Sequence, residues 1–274
     1  MEVMDVVKKF HRKIDYDAHK SCDVKYPSAN DCIECCSKPY FEQVNIDYTC
    51  AQKRKLYVAR YAPAYISEVY SAFKVTSRNY AKELSKKSEI KVASIGGGPG
   101  TDIAGFKKWI LTNIGEDNDI DTIKFLRVDI HKDWDDVSPE LVNLYNSTDI
   151  EFEYKKIVRD ITQKPINSQS FKSFDVIMMS YILSEINSKD IEKAANHISE
   201  AISGKTLLVI NDRPQDEVIQ KIDQFIIALG GINPKIVEPT ETDHCGESYP
   251  DEIFKAVGAT IFRKSRRYNV LIEK

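Results

Sequence analysis

The stretch KVASIGGGPGTDIAGFKKWI, from Lys91 to Ile110, decides the fold of this chain. A short run of apolar and small residues ends in four glycines interrupted by one proline, and a segment with helical spacing follows. Glycines at the end of a strand let the backbone approach a ligand, because no Cβ stands in the way and positive φ costs nothing. The helix that follows contributes free N–H groups and the positive end of its dipole. The stretch therefore predicts a strand, a nucleotide-binding turn and a helix.

Strand-like and helix-like segments alternate after Glu89. The strand-like runs are IKVASI, TIKFLRVDI, IEFEYKKIVRDI, FDVIMMSYI and GKTLLVIND. Helical candidates lie at 102–113, 138–146, 188–203 and 215–229. This alternation is typical of a parallel sheet in an α/β fold. Two β-prone runs near the end of the chain, 260–263 and 268–273, flank a polar turn and predict an antiparallel hairpin.

The first 88 residues contain helical and irregular patterns but no convincing strand. Tyr57, Tyr61 and Tyr65 recur every four residues, which predicts one face of a helix. Pro63 is expected to kink or restart that helix. We therefore divide the chain into a helical, cysteine-rich cap or lid at 1–88 and a larger domain at 89–274.

Composition and charge bound the possible functions. The chain has 274 residues, of which 42% are hydrophobic, so it can bury a sizeable core without disulfide staples. Residues 1–89 carry 16 Lys plus Arg against 12 Asp plus Glu, while the chain as a whole has a net charge of -3. A mild basic excess suits RNA, although solvated helix faces give the same count. Because no signal peptide or membrane span is evident, we expect a soluble, cytoplasmic protein.

The spacing of the glycines bears on the kind of nucleotide. Gly96, Gly98 and Gly100 form Gly-x-Gly-x-Gly, and Thr101 stands where the dinucleotide pattern Gly-x-Gly-x-x-Gly requires glycine or alanine. A pyrophosphate-binding turn is therefore disfavoured. A turn with a purely structural role is the alternative, but such a turn needs one or two glycines rather than four.

The segment SIGGGPGTD resembles the first motif of class I S-adenosylmethionine-dependent methyltransferases, and the resemblance extends over 89–274. It implies S-adenosylmethionine as cofactor and a Rossmann-like methyltransferase fold. That fold has a mostly parallel seven-stranded sheet with an antiparallel strand near the C-terminus. The family commonly has an acid two residues before the first glycine. Ser94 occupies that place here, which leaves the contacts to the amino-acid end of the cofactor open.

The resemblance also implies roles for particular residues. Asp129, at the end of the second strand, would hold the ribose hydroxyls, and Asp160, after the third, would lie near the adenine amino group. The positions expected to contact the cofactor are Gly96, Gly97, Gly98, Gly100, Thr101, Asp102, Asp129, Ile130, Asp160, Ile161 and Ser180. The alternative for the two acids is that they are solvated carboxylates without a binding role. The alternative for Ser180 is a residue at a strand end that is hydrogen-bonded only within the protein. Trp134 could stack on adenine or serve only in packing.

Methyl transfer from a sulfonium is an in-line displacement, so the protein mainly holds the acceptor about 3 Å from the methyl carbon and excludes water. Tyr181 and Glu185, after the fourth strand, are candidates for a catalytic base. Arg60, Tyr61 and Tyr65 could form a lid over the substrate, as in small-molecule members of the family. An aromatic core stripe is the alternative for these tyrosines.

Five of the six cysteines lie between Cys22 and Cys50. The pair Cys32-x-x-Cys35 has the spacing of a tetrahedral thiolate site, and Cys22 and Cys50 could complete four ligands for zinc or an iron–sulfur cluster. Buried free thiols and a redox-sensitive pair are the alternatives.

These patterns predict a methyltransferase that transfers a methyl group to a nitrogen or oxygen atom. The acceptor is RNA or a small molecule, with RNA slightly favoured by the basic, cysteine-rich N-terminal region. A cofactor-binding assembly factor without turnover and an NAD-dependent oxidoreductase are the two alternatives from other classes.

Overall fold

The computed structural model describes residues 2–41, 47–114, 118–166, 171–230, 235–237, 249–259 and 265–274. The strands in these ranges are β1 Glu89–Ile95, β2 Thr122–Asp129, β3 Glu151–Val158, β4 Val176–Ser180, β5 Lys205–Asp212, β6 Lys235–Val237 and β7 Arg266–Glu273. They form one sheet in the order β3-β2-β1-β4-β5-β7-β6. The strands from β1 to β5 pair in parallel, whereas β7 is antiparallel to both β5 and β6. The predicted α/β fold, a Rossmann-like methyltransferase fold with an antiparallel strand near the C-terminus, is confirmed.

The helices are α1 Val3–His11, α2 Cys32–Phe41, α3 Ala51–Phe73, α4 Arg78–Ser85, α5 Thr101–Asn113, α6 Ser138–Val142, α7 Ile191–Ser199, α8 Asp216–Ala228 and α9 Asp251–Val257. Short 3₁₀ turns lie at Ala18–Ser21, Lys132–Asp136 and Ser188–Asp190. The four helices predicted after the glycines correspond to α5 to α8, although α6 is shorter than expected. No helix in the described ranges is long and apolar enough to cross a bilayer. The predicted strand 260–263 lies outside the described residues.

The described residues of the N-terminal region form helices joined by irregular segments and contain no strand, as predicted. The restart expected at Pro63 does not occur, because α3 runs unbroken through that buried residue. A proline removes one hydrogen bond and costs about 3 kcal/mol inside a helix. Packing along the many buried positions of α3 offsets that cost, because most helical stability in proteins comes from tertiary packing.

Alternating residues of the central strands face two different apolar layers. Val92 packs in the layer that contains α3 and α5, whereas Ala93 packs in the layer that contains α7 and α8. Helices α3 and α5 touch closely at Gly105, where a Cβ would lie 2.7 Å from the Cβ of Val69. Glycine at this position therefore lets α3 lie directly against α5.

The N-terminal helices also bond to the sheet. Asn269 of β7 donates to the carbonyl of Ala72 at 3.2 Å, and the Tyr80 hydroxyl donates to the carbonyl of Asp175 at 2.7 Å. The region 1–88 is thus joined to the strands by hydrogen bonds as well as apolar packing. The division of the chain after residue 88 stays a prediction.

The strand order changes direction between β1 and β4. Ligands of open α/β sheets bind in the crevice outside the carboxyl ends of the strands at such a point. Here Ile95 and Ser180 end the two strands, so the glycines that follow β1 lie at the edge of this crevice.

Candidate functional site

A cavity of about 570 Å³ lies at the carboxyl ends of β1 to β4. The predicted site residues that line it are Gly96, Gly98, Asp129, Ile130, Asp160, Ile161, Ser180, Tyr181, Glu185 and Tyr65. They come from four strand ends and from α3, and only the fold brings them together. A volume of this size is within the range of small-molecule and cofactor sites.

The glycine turn is held against the end of β2. The N–H of Gly96 donates to the carbonyl of Val128 at 2.7 Å, and the N–H of Gly98 donates to Asp129 Oδ2 at 2.8 Å. Gly98 has a φ of 47°, a region in which a side chain is strained. The buried guanidinium of Arg127 donates to the carbonyl of Gly98 at 2.8 Å. The shape of the turn is therefore fixed by bonds to β2 on both sides of the glycine.

Asp129 is buried at the junction of the turn and β2. Its second carboxylate oxygen, Oδ1, accepts the N–H of His131 at 2.8 Å. Burial raises the pKa of this carboxyl group, and the two backbone donors, from His131 and Gly98, oppose that rise. A solvated carboxylate does not describe Asp129, which is 8% exposed. Because each oxygen has a second lone pair, Asp129 keeps the capacity to accept two further hydrogen bonds.

Asp160 lies on the same wall but is exposed. Its Oδ1 accepts both the N–H and the hydroxyl of Thr162 at 2.8 Å, which fixes the turn after β3. The neighbouring Ile161 is buried, whereas Ile130 is 60% exposed at the cavity wall. The apolar side chain of Ile130 and the carboxylate of Asp160, which is hydrogen-bonded within its own turn, thus border this end of the cavity.

Gly97, Gly100, Thr101 and Asp102 do not line the cavity, although the sequence placed them among the cofactor contacts. Asp102 is buried behind the wall, where its Oδ2 accepts the hydroxyl of Ser94 at 3.3 Å and a hydrogen bond from Ser180. Ser94, which stands two residues before the glycines, is therefore hydrogen-bonded to an acid from the first turn of α5. The sequence does not reveal this because Ser94 and Asp102 meet only once α5 packs on β1.

The burial of Asp102 gives a testable pH dependence. Desolvation raises the pKa of this carboxyl group to about 7, against the lowering effect of Ser180 and Ser94. Because the folded-state pKa is higher than the unfolded one, the contribution of Asp102 to wild-type stability falls as pH rises from about 4 to 7. The Asp102→Asn variant cannot ionise, so we expect it to be about 2–4 kcal/mol more stable than wild type above pH 7.

Urea unfolding at a series of pH values measures this difference. The two proteins are expected to have similar stability near pH 4. A stability difference that did not change between pH 4 and pH 8 would show that the carboxyl group titrates normally.

Tyr181 directly follows β4 and has a φ of 58°, which is uncommon for a residue with a side chain. Its hydroxyl donates to the carboxylate of Glu68 at 2.9 Å, and its ring lies 4.9 Å from that of Tyr65. Glu68 is 1% exposed, and the guanidinium of Arg267 approaches it at 3.9 Å. Sequence reasoning missed Glu68. The sequence signal that could have identified Glu68 is its position three residues after Tyr65, which places an acid on the buried face of a helix.

Glu185 lies on the same side of the cavity as Tyr181 but is exposed. Its Oε1 pairs with Arg213 at 2.8 Å. The two base candidates therefore occupy different environments. The Tyr181 hydroxyl is hydrogen-bonded to a buried carboxylate, whereas the Glu185 carboxylate is part of a surface ion pair.

Of the three residues proposed as a lid, only Tyr65 lines the cavity. Tyr61 is buried beside Tyr57 and Tyr65, with ring centroids 5.6 and 5.8 Å away, as in the alternative of an aromatic core stripe. The Arg60 guanidinium lies over the ring of Tyr61, away from the cavity wall. Sequence reasoning did not place Tyr48, Tyr57 or His131 at the site, where they line the cavity together with Trp134.

The cysteines do not support a metal centre. Within the described residues, no group of three or more His, Cys, Asp or Glu side chains is arranged to hold a metal ion. Cys22, Cys32, Cys35 and Cys50 are free thiols, and Cys35 Sγ accepts the N–H of Tyr26 at 3.1 Å. Burial raises the pKa of Cys32 to about 11. The zinc or iron–sulfur prediction lacks support from the described residues. Cys32 and Cys35 are buried thiols, whereas Cys22 and Cys50 are partly exposed.

No protein-family model and no curated protein matches the chain. Among solved structures, it resembles the N-methyltransferase NodS from Bradyrhizobium japonicum in complex with S-adenosylhomocysteine, with 10% identity and a TM-score of 0.45 over 77% of this chain and 88% of that one. It also resembles the CurJ carbon methyltransferase, with 14% identity and a TM-score of 0.47 over 89% and 61% of the two chains. A putative O-methyltransferase from Nostoc punctiforme has 9% identity and a TM-score of 0.43 over 79% and 62%. At these identities the likeness concerns the fold alone.

Proposed function

We propose that this protein is an S-adenosylmethionine-dependent methyltransferase that acts on a nitrogen or oxygen atom of its acceptor. The observation that carries the proposal is the meeting of the glycine turn and the buried Asp129 carboxylate on one wall of the cavity. A carboxylate with spare lone pairs suits the two hydroxyls of a ribose, because both can donate to it. Gly98 has a positive φ and no Cβ, so its backbone can approach a ligand closely.

The lining residues suggest how the cofactor would be held. Gly96 and Gly98 would lie beside its amino-acid part, Asp129 would accept the ribose hydroxyls, and Asp160 with Ile130 would border the adenine. Asp102 would act indirectly, by holding Ser180 through a buried hydrogen bond. When bound, the cofactor supplies a methyl group on a positively charged sulfur.

The chain itself would orient the acceptor, exclude water and remove a proton from the attacking atom. The Tyr181 hydroxyl is the better placed of the two base candidates, because its bond to Glu68 fixes its direction. Its positive φ is maintained against a cost of order 1–3 kcal/mol, as is common at functional sites. Glu185 stays a second candidate on the exposed side of the cavity.

Replacement of these two groups separates their roles. We expect Tyr181→Phe to lower kcat by roughly 10- to 100-fold, because one group for proton transfer or orientation is lost, while cofactor affinity changes little. Tyr145→Phe is the matched control, since Tyr145 also has a positive φ but does not line the cavity. Steady-state methylation assays measure both effects. A fully active Glu185→Gln variant would remove Glu185 as a base, and a fully active Tyr181→Phe variant would remove Tyr181.

The function is tested with methyl-labelled cofactor and the full chain, incubated with separate RNA, protein and small-metabolite fractions. Label in one fraction is the expected result. Saturable cofactor binding without label in any fraction would favour an assembly factor, and preferential binding of NAD would favour an oxidoreductase.

A further inference from the structure

Part of the cavity lining is an aromatic wall, formed by Tyr48, Tyr57, Tyr65, Trp134 and Tyr181. Within this wall the Trp134 ring lies beside the glycine turn, because a Cβ at Gly98 would be 3.7 Å from it. These rings contact one another in a chain, with centroid distances of 4.5 Å from Tyr48 to Trp134, 5.2 Å from Trp134 to Tyr57 and 5.5 Å from Tyr57 to Tyr65. The neighbouring ring planes are tilted by 33° to 65°. The wall is thus a continuous aromatic surface built from the segment before α3, α3 itself, the 3₁₀ turn after β2 and the residue after β4.

Carboxylates dominate the charges around this aromatic wall. Asp47, Glu185 and Asp190 line the cavity in addition to the two acids assigned to the cofactor, and Glu185 also pairs with Arg213 at 2.8 Å. Thr49 donates to Asp47 and holds the pKa of that carboxyl group below its usual value, so it is ionised at neutral pH. Among the described lining residues there is one arginine, Arg159, and no lysine.

This excess of acids is a local property, because the whole chain carries 39 Lys plus Arg against 42 Asp plus Glu. The basic N-terminal region contributes Asp47, Tyr48, Tyr57 and Tyr65 to the described cavity wall, and no cation among these residues. Its positive charge therefore faces elsewhere. A phosphate-bearing acceptor would meet carboxylates at this wall and be repelled.

Aromatic rings with nearby carboxylates attract cations. A ring face binds a cationic nitrogen through its quadrupole, and ligands with substituted ammonium groups are recognised in this way. Resting on the proposed function, we propose that the methyl acceptor is a small cationic amine, bound between the aromatic wall and the acids Asp47, Glu185 and Asp190.

The chemistry balances with the cofactor as the methyl donor. The bound ammonium group first loses one proton to a lining base or to water, which exposes the nitrogen lone pair. That pair forms the N–C bond while the C–S bond breaks, and the electrons of the broken bond stay on sulfur. The methylated nitrogen regains a positive charge and stays attracted to the aromatic wall until the product leaves.

Two probes of the same shape test the inference. Choline and 3,3-dimethylbutan-1-ol differ in whether the branched centre is a positive nitrogen or a neutral carbon. Their binding to the full chain saturated with S-adenosylhomocysteine is measured by calorimetry. We expect choline to bind roughly 5- to 30-fold more tightly than the alcohol. Tyr57→Leu is expected to remove this preference, whereas Tyr57→Phe, which keeps the ring, retains it.

The outcomes separate the inference from the proposed function. Equal affinity of the two probes in a chain that binds S-adenosylhomocysteine would overturn the cationic acceptor and leave the methyltransferase proposal standing. Labelling of RNA, with no labelling of N,N-dimethylethanolamine or other small amines, would do the same. A chain that fails to bind S-adenosylhomocysteine at all would instead contradict the proposed function, and with it the inference that rests on it.

Discussion

Replacement of Asp129 by asparagine is expected to weaken the binding of S-adenosylhomocysteine by roughly 10- to 150-fold, because it removes one charge-assisted hydrogen bond, which contributes about 1.5–3 kcal/mol. The amide keeps one acceptor oxygen, but its nitrogen cannot accept a hydrogen bond from a ribose hydroxyl. The N–H of Gly98 also loses its partner if the amide nitrogen faces it. Calorimetric titration of the full chain measures the change.

Asp133→Asn is the matched control, since Asp133 lies four residues further along the same segment and does not line the cavity. Thermal unfolding of both variants without ligand separates a loss of affinity from a loss of folding. If a folded Asp129→Asn protein bound S-adenosylhomocysteine with unchanged affinity, the ribose of this ligand would not bind at Asp129.

Glu68→Gln is expected to lower the free energy of unfolding by about 3–5 kcal/mol, because it leaves an uncompensated charge in the interior. Arg267, the cation beside it, is fully buried, and burial lowers its pKa while Glu68 raises it. The Tyr181 hydroxyl also donates to Glu68, so the change affects the cavity wall. Urea unfolding measures the cost.

Two further variants sharpen the comparison. The double variant Glu68→Gln/Arg267→Gln removes both charges and is expected to recover about 1–3 kcal/mol relative to additivity. Glu83→Gln breaks the exposed pair of Glu83 with Lys205 and is expected to cost about 1 kcal/mol or less. If Glu68→Gln and Glu83→Gln lowered the free energy of unfolding by the same amount, the buried pair would contribute no more to stability than the exposed one.

The part of the fold that the sequence predicts well is local. Glycines after an apolar run specify the turn after β1 whatever surrounds it, and the alternation of strand and helix patterns specifies a parallel sheet. The resemblance to class I methyltransferases implied that Asp129 and Asp160 lie at the cofactor site, and parallel strands bring their carboxyl ends to the same edge. Both residues do line the cavity.

The parts that the sequence does not predict depend on contacts between distant segments. Asp102 meets Ser94 only because α5 packs on β1. Tyr48 reaches the cavity through a segment that has no periodic pattern. Glu68 meets Arg267 across 199 positions of sequence, and no local rule connects them.

Charge counting and the cavity lining favour different methyl acceptors. The net charge of residues 1–89 slightly favoured RNA, but a net count does not tell which side chains face the cavity. Those from this region that line its described wall are one acid and three tyrosines. Position in the fold, rather than composition, therefore favours a cationic acceptor.

The central claim is that the glycine turn and Asp129 bind a sulfonium nucleoside and its demethylated product. A crystal structure of the full chain with S-adenosylhomocysteine tests it most directly. We predict both ribose hydroxyls within hydrogen-bond distance of the Asp129 carboxylate and the sulfur facing Tyr181. A complex in which the ligand lies away from this wall, or crystals that take up none at saturating concentration, would contradict the account.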